Sequence, residues 1–150
     1  MGLDMYLSKK NYVKNWSYMT EERKHKITVK LGGKTRKDIK PKRIAYITEE
    51  VMYWRKANHI HDWFVQNCQD GRDECQESYV SSEDLGKLAD LCEEVGRSCD
   101  GGILPTSSGF FFGATDYDEY YFDECKRTAK ELRKLLSEEG NGEYYYQSSW

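Results

Sequence analysis

YWRKANHIHDWF, residues 53–64, is the stretch on which the fold turns. Its first half continues a β-favouring run, rich in Ile, Tyr, Val and Trp, that begins near residue 43. Its second half is helical. Ala57, Ile60, His61, Phe64 and Cys68 recur at spacings of three and four, the stripe of a helix buried on one side. Lys56-Ala57-Asn58 marks the switch, and Asn58 is expected as the N-cap, its side-chain oxygen accepting from a free amide one turn on. The stretch holds two of the four tryptophans and two of the three histidines, so rings, cations and imidazoles crowd together here. Two readings follow. In one it is a binding floor: Trp54 or Trp63 stacks on a ligand ring and Arg55 and Lys56 hold an anion. Asn58, His59 and His61 then donate or accept near neutral pH. In the other it is a core helix with a hydrogen-bonded histidine and tryptophans that only fill space.

Working outward towards the C-terminus, residues 69–76 (QDGRDECQ) form a polar loop and residues 77–80 a short strand. Ser81 caps a helix whose stripe is Leu85, Leu88, Ala89, Cys92 and Val95, with Gly96 expected to close it in the left-handed conformation. Residues 103–113 contain Phe110, Phe111 and Phe112 in a row, which predicts a strand buried on both faces, preceded by the hydroxyls of Ser107 and Ser108. Thr115 to Asp118 has capping-box spacing. Tyr121, Cys125, Thr128, Leu132, Leu135 and Leu136 then run down a long helix to Gly140, and residues 143–150 read as a last strand.

Towards the N-terminus, residues 2–9 alternate apolar and polar as a half-buried strand, and residues 11–19 are expected to pair back on it. Ile27, Val29 and Leu31 alternate before Gly32-Gly33, predicting a hairpin that reaches about residue 37 and ends by Pro41. The sum is an α+β fold, a mainly antiparallel sheet with about three helices packed on one face. It is a single domain over residues 1–150, with a basic hairpin or arm at about 20–43.

Charge is unevenly spread. Residues 1–43 hold 13 Lys or Arg against 4 Asp or Glu, and residues 44–150 hold 10 against 22. The arm's cations, Lys24, Lys26, Lys30, Lys34, Arg36, Lys37, Lys40, Lys42 and Arg43, suit nucleic acid or an acidic protein, with Tyr12, Trp16 and Tyr18 beside them to stack on bases. The plainer reading is a solvated hairpin folded back on its own acidic domain. An aromatic share of 14% argues against disorder, although 33% of residues are charged. With no apolar run of membrane-spanning length and no signal peptide, the expected setting is the cytoplasm. Five cysteines, an odd number, fit a reducing compartment, and their spacings are wider than zinc ligands use. Asp116, Asp118, Glu119, Asp123 and Glu124 belong to a helix start, where the dipole favours anions. No nucleophile elbow, phosphate loop, zinc-protease or dinucleotide motif occurs, so no cofactor, metal or catalytic residue is implied. A small hydrolase using His59 and His61 with carboxylates stands as a second alternative to binding.

GLDMYL (residues 2–7), YWRKAN…WF (53–64), LPTSSGFFFG…YDEYYF (104–122) and YYQSSW (145–150) together resemble a family of small, uncharacterised proteins of tailed bacteriophages. The resemblance covers most of the chain apart from the arm around residues 23–42. It implies a setting, the infected host cell, and no mechanism. The expectation is a non-enzymatic accessory protein that inhibits or redirects a host (defence) process, by capturing a small anionic, nucleotide-like ligand or a host protein. The site is expected where residues 53–64 meet residues 106–112 and the start of the last helix.

Overall fold

The structure, a computed structural model, describes residues 2–150. Strand β1 (Asp4–Tyr12) follows the alternation of its sequence, with Met5, Leu7 and Lys9 turned inward and Asp4, Tyr6 and Ser8 outward. Two-residue strands β2 (Lys30–Leu31) and β3 (Lys34–Thr35) make a separate small hairpin. Strand β4 (Tyr46–Arg55) leads into helix α1 (Asn58–Cys68). Then come β5 (Ser78–Val80), α2 (Ser82–Ser98), α3 (Glu119–Leu136) and β6 (Glu143–Ser149). The main sheet runs β4-β1-β6-β5, antiparallel throughout. The last strand in sequence therefore lies inside the sheet, between the first and the fifth.

The helices cover one face, as the sequence leads one to expect of an α+β fold. Met5, Leu7, Met52, Trp54, Val80, Tyr144 and Tyr146 point from the sheet into the core. They meet Ile60 and Phe64 of α1, Leu85, Leu88, Cys92 and Val95 of α2, and Tyr121, Cys125, Leu132 and Leu135 of α3. Each such Leu or Phe removed from water contributes roughly 1.5–3 kcal/mol. Phe64 and Tyr146 stack with ring centroids 4.0 Å apart, which sets α1 against β6. On the opposite face Tyr6 and Tyr53 form a cross-strand pair, as do Tyr79 and Tyr145.

Leu7 pairs with Met52 but Ser8 pairs with Glu50, so Val51 is an extra residue in β4. This bulge falls beside the Glu49-Glu50 pair. It changes which residues of β4 face inward. Beyond it the inner face turns polar: Asn11 donates to Glu49 at 2.8 Å, and Lys9 lies 3.7 Å from Glu138.

Several local expectations are corrected. Asn58 is the first residue of α1 rather than its cap, and no side chain caps that helix. Residues 11–19 do not pair back; β1 runs on to Tyr12 and the chain then leaves the sheet. The arm hairpin is confined to four paired residues. Helix α2 passes Gly96 and ends where Cys99 takes the left-handed conformation, at φ 55°. Asp118, not Thr115, caps α3, accepting from the Tyr121 amide at 3.0 Å, and the helix stops at Leu136.

The largest correction concerns residues 103–113, which form a loop, not a strand. Gly113, at φ 83°, and a turn closed by Phe112 N–H on the Gly109 carbonyl (3.1 Å) fold the phenylalanine triplet back on itself. The Phe111 carbonyl accepts from Leu3 N–H, just before β1, at 3.0 Å. Phe110 is 95% exposed.

Candidate functional site

Lys56 occupies the left-handed region, at φ 54°, and its amide donates to the Leu3 carbonyl at 2.7 Å. This kink between β4 and α1 turns the N-terminus of α1 towards the 104–118 loop. Asn58 then ties the loop down. Its amide nitrogen donates to Phe112 and Ala114 carbonyls at 3.0 and 2.9 Å, and its oxygen accepts from Ser107 N–H at 2.9 Å. Gly113 packs against Lys56 so closely that a Cβ there would lie 3.1 Å from the Lys56 Cβ. Thr106 Oγ1 donates to Thr115 O at 2.9 Å, pinching the base of the loop. Tyr120 completes the enclosure by donating its hydroxyl to the Arg55 carbonyl.

Between these parts lies a cavity of about 230 Å³. Its walls are Arg55, Lys56, Asn58 and His59 on one side and Asp116, Asp118, Tyr120 and Tyr121 on the other, with Thr106, Gly113 and Ala114 from the loop. The uncapped start of α1 borders it, so amides without intrahelical partners add a positive end to the two cations. The two aspartates give the facing wall the opposite sign. An anionic group fits one side, and hydroxyls or an amine fit the other.

His59 closes this wall from the core side. It is buried, its ring lies 4.4 Å from that of Tyr121, and its Nε2 has no hydrogen-bond partner. That nitrogen is closed to solvent and so does not open on the cavity. Beyond it Cys92 of α2 and Cys125 of α3 are in contact. The hydrogen bond from Cys92 draws the Cys125 thiol down, with the His59 ring adding to it against burial, while Cys92 is driven up.

His61, two residues on, is spoken for at both nitrogens. Nδ1 lies 2.6 Å from the Tyr146 hydroxyl and Nε2 2.9 Å from Asp73. A carboxylate only accepts, so Nε2 carries the proton towards Asp73. Burial pushes the Tyr146 phenol well above its ordinary value. Trp150 Nε1 donates to the second Asp73 oxygen at 3.0 Å. The network ties α1 to β6 and to the 69–76 loop, and His61 makes it without His59.

The remaining expected residues divide. Trp54 is fully buried and donates to Thr128 Oγ1 at 2.8 Å, and Trp63 packs edge-on to Phe64, so neither offers a face to a ligand. Ser107 serves through its backbone. Ser108 borders a different hollow, about 310 Å³, with Asp73, Phe110, Phe111, Phe112 and Trp150. Arg55, Lys56, Asn58 and His59 do share one cavity. Thr106 lies there too, within the stretch expected to meet residues 53–64, whereas Tyr120 and Tyr121 were not singled out; Tyr121 is both core and wall.

In the arm, Lys26, Lys30, Lys34, Lys37, Lys40, Lys42 and Arg43 are exposed and Lys24 is half-buried. Lys24 pairs with Glu21 at 2.9 Å, Arg36 pairs with Asp38, and Arg43 donates to the Asp38 carbonyl at 2.8 Å. The arm does not fold back to neutralise the acidic domain: all its ion pairs are with its own carboxylates.

Among the described residues no three His, Cys, Asp or Glu side chains converge as a metal-binding group. No helix there is long and apolar enough to cross a membrane. Comparison of the chain with protein-family models, with curated proteins and with solved structures finds no match.

Proposed function

We propose that the protein is a non-enzymatic binding protein that captures a small anionic, nucleotide-like ligand in the cavity between the starts of α1 and α3. The observation that carries the reading is a cavity of which one wall joins Arg55, Lys56 and an uncapped helix start. A phosphate suits the cations and free amides. Sugar hydroxyls or an exocyclic amine suit Asp116 and Asp118, which only accept when ionised. Tyr120 and Tyr121 supply ring surface.

The resemblance to tailed-bacteriophage proteins supplies the proposed setting. There, sequestering a nucleotide signal would inhibit or redirect a host defence process in the cytoplasm. Capture of a host protein is the variant of this reading in which the cavity receives a side chain rather than a free molecule.

Isothermal titration against a panel of mononucleotides and cyclic nucleotides tests it. At least one member should bind, and Arg55→Glu with Lys56→Glu should weaken that binding by at least tenfold. Heat flat across the panel, in protein shown to be folded, would remove the ligand reading.

A further inference from the structure

We propose that the arm, residues 14–44, together with the sheet end from which it grows, is a binding surface for single-stranded nucleic acid. This goes beyond the cavity and does not depend on it. The arm leaves β1 after Val13 and rejoins at Ala45, where the Val13 amide donates to the Ala45 carbonyl at 2.9 Å. It is therefore an insertion at the tip of the β1–β4 hairpin, and none of residues 14–44 is buried. Its order comes from local bonds. Asn15 both donates to the His25 carbonyl (2.6 Å) and accepts from its amide (2.7 Å).

Four large rings stand in water here. Tyr12 and Tyr46 pair across the strands at 5.2 Å, and Trp16 and Tyr18 lie nearly parallel, 13° apart, at 6.4 Å. Trp16 Nε1 donates to the Tyr12 hydroxyl at 3.1 Å, joining the two pairs into one strip. The rings are 42–79% exposed. Lys14 sits 4.4 Å from the Trp16 ring centroid. Beside the strip, Lys26, Lys30, Lys34, Lys37, Lys40 and Lys42 have no carboxylate within 4.0 Å among the described residues.

Free lysines around open aromatic faces match a phosphate backbone whose bases are free to stack. A duplex fits less well, because its bases are already stacked and the arm has no helix beyond a three-residue turn to enter a groove. An acidic protein would engage the lysines and leave the four rings idle. Glu49 and Glu50, exposed on β4, repel phosphate and confine a strand to the arm end of the sheet.

The test is fluorescence anisotropy of the full chain with an oligothymidylate and an oligouridylate of about 15 nucleotides, a duplex of equal length, and a polyglutamate peptide. Salt is varied from about 50 to about 300 mM. Both single strands, or the one whose sugar is preferred, should bind at least tenfold more tightly than the duplex. Log Kd should rise with log salt by about 0.7 for each phosphate neutralised. Trp16→Ala and Tyr18→Ala should each weaken binding about fivefold or more. Lys34→Glu with Lys37→Glu should flatten the salt slope. No buried residue is touched, so circular dichroism should be unchanged. The proposal is overturned by absence of single-strand binding at the lowest salt, by equal duplex binding indifferent to the two ring substitutions, or by binding of the peptide alone. Titration of the cavity ligand is a separate readout at the other end of the sheet, so either idea can fail without the other.

Discussion

Where β1 begins and β4 ends, the N-terminal strand, the β4–α1 kink, the 104–118 loop and the start of α3 are tied together by hydrogen bonds, several of them part-buried. Where β1 ends and β4 begins, roughly 30 Å away at about 3.3 Å per residue, residues 14–44 contribute no buried side chain. The same two strands serve both ends. The difference lies in what the helices cover: the Trp54 and Met52 side of the bulge is buried under α1 and α3, whereas the Glu49 side meets only the end of α3 across an open hollow. Position in the core and availability to a partner are thus separated along a single hairpin. A change at the cavity end should register in stability and binding together, whereas one at the arm end should register in binding alone.

The sharpest probe of that contrast is the histidine pair. His61→Ala should cost about 3 kcal/mol in urea unfolding, because it strands the Tyr146 hydroxyl and leaves Asp73 with Trp150 as its remaining partner. His59→Ala breaks no hydrogen bond made by Nε2 and should cost about half as much. Equal costs would mean that His59 is also a structural residue. Asn58→Ala comes next. Losing three hydrogen bonds to the loop should cost about 2 kcal/mol and speed amide exchange at Ser107. Replacing residues 14–44 by Asn-Gly, which suits a two-residue hairpin between Val13 and Ala45, should leave stability equal or raised by up to about 2 kcal/mol. Unfolding on that replacement would show that the arm supports the domain after all. The smallest signal is at Asp38, where the hydrogen bond from Arg36 holds the carboxyl below its ordinary range. A depressed folded value gives stability that is present above the unfolded value, near 3.9, and is lost as pH falls through the folded one. NMR titration should find Asp38 low in the native chain and ordinary in Arg36→Ala.

The elements read well where periodicity is local. The Leu85–Val95 stripe, the Tyr121–Leu135 stripe and the alternation of Leu3, Met5 and Leu7 each name a buried face without reference to anything distant. Asn58 shows where that runs out. A cap and a loop clamp ask for the same side chain, and the choice was made by Ser107, Phe112 and Ala114, some fifty residues away. The phenylalanine triplet misleads for a related reason: β-propensity reports fitness for a pleated surface, and residues 110–112 pair with neither edge strand, β4 nor β5. Of the cavity, the cationic wall was readable as a cluster in sequence. The facing wall was not, because Asp116 and Asp118 are fully accounted for as a helix start until their neighbours across the gap are known.

Strand β6 sits between β1 and β5, so its backbone satisfies both neighbours at once. During synthesis, β1 can pair with β4 as soon as the latter leaves the ribosome, but β5 has no edge to join until residues 143–149 exist. The half-built sheet must wait with Tyr144 and Tyr146 missing from its middle and Phe64 without its stacking partner. A nascent chain released a few residues early would thus be a different kind of object: an open hairpin with sticky flanks, and a ready substrate for chaperones or proteases.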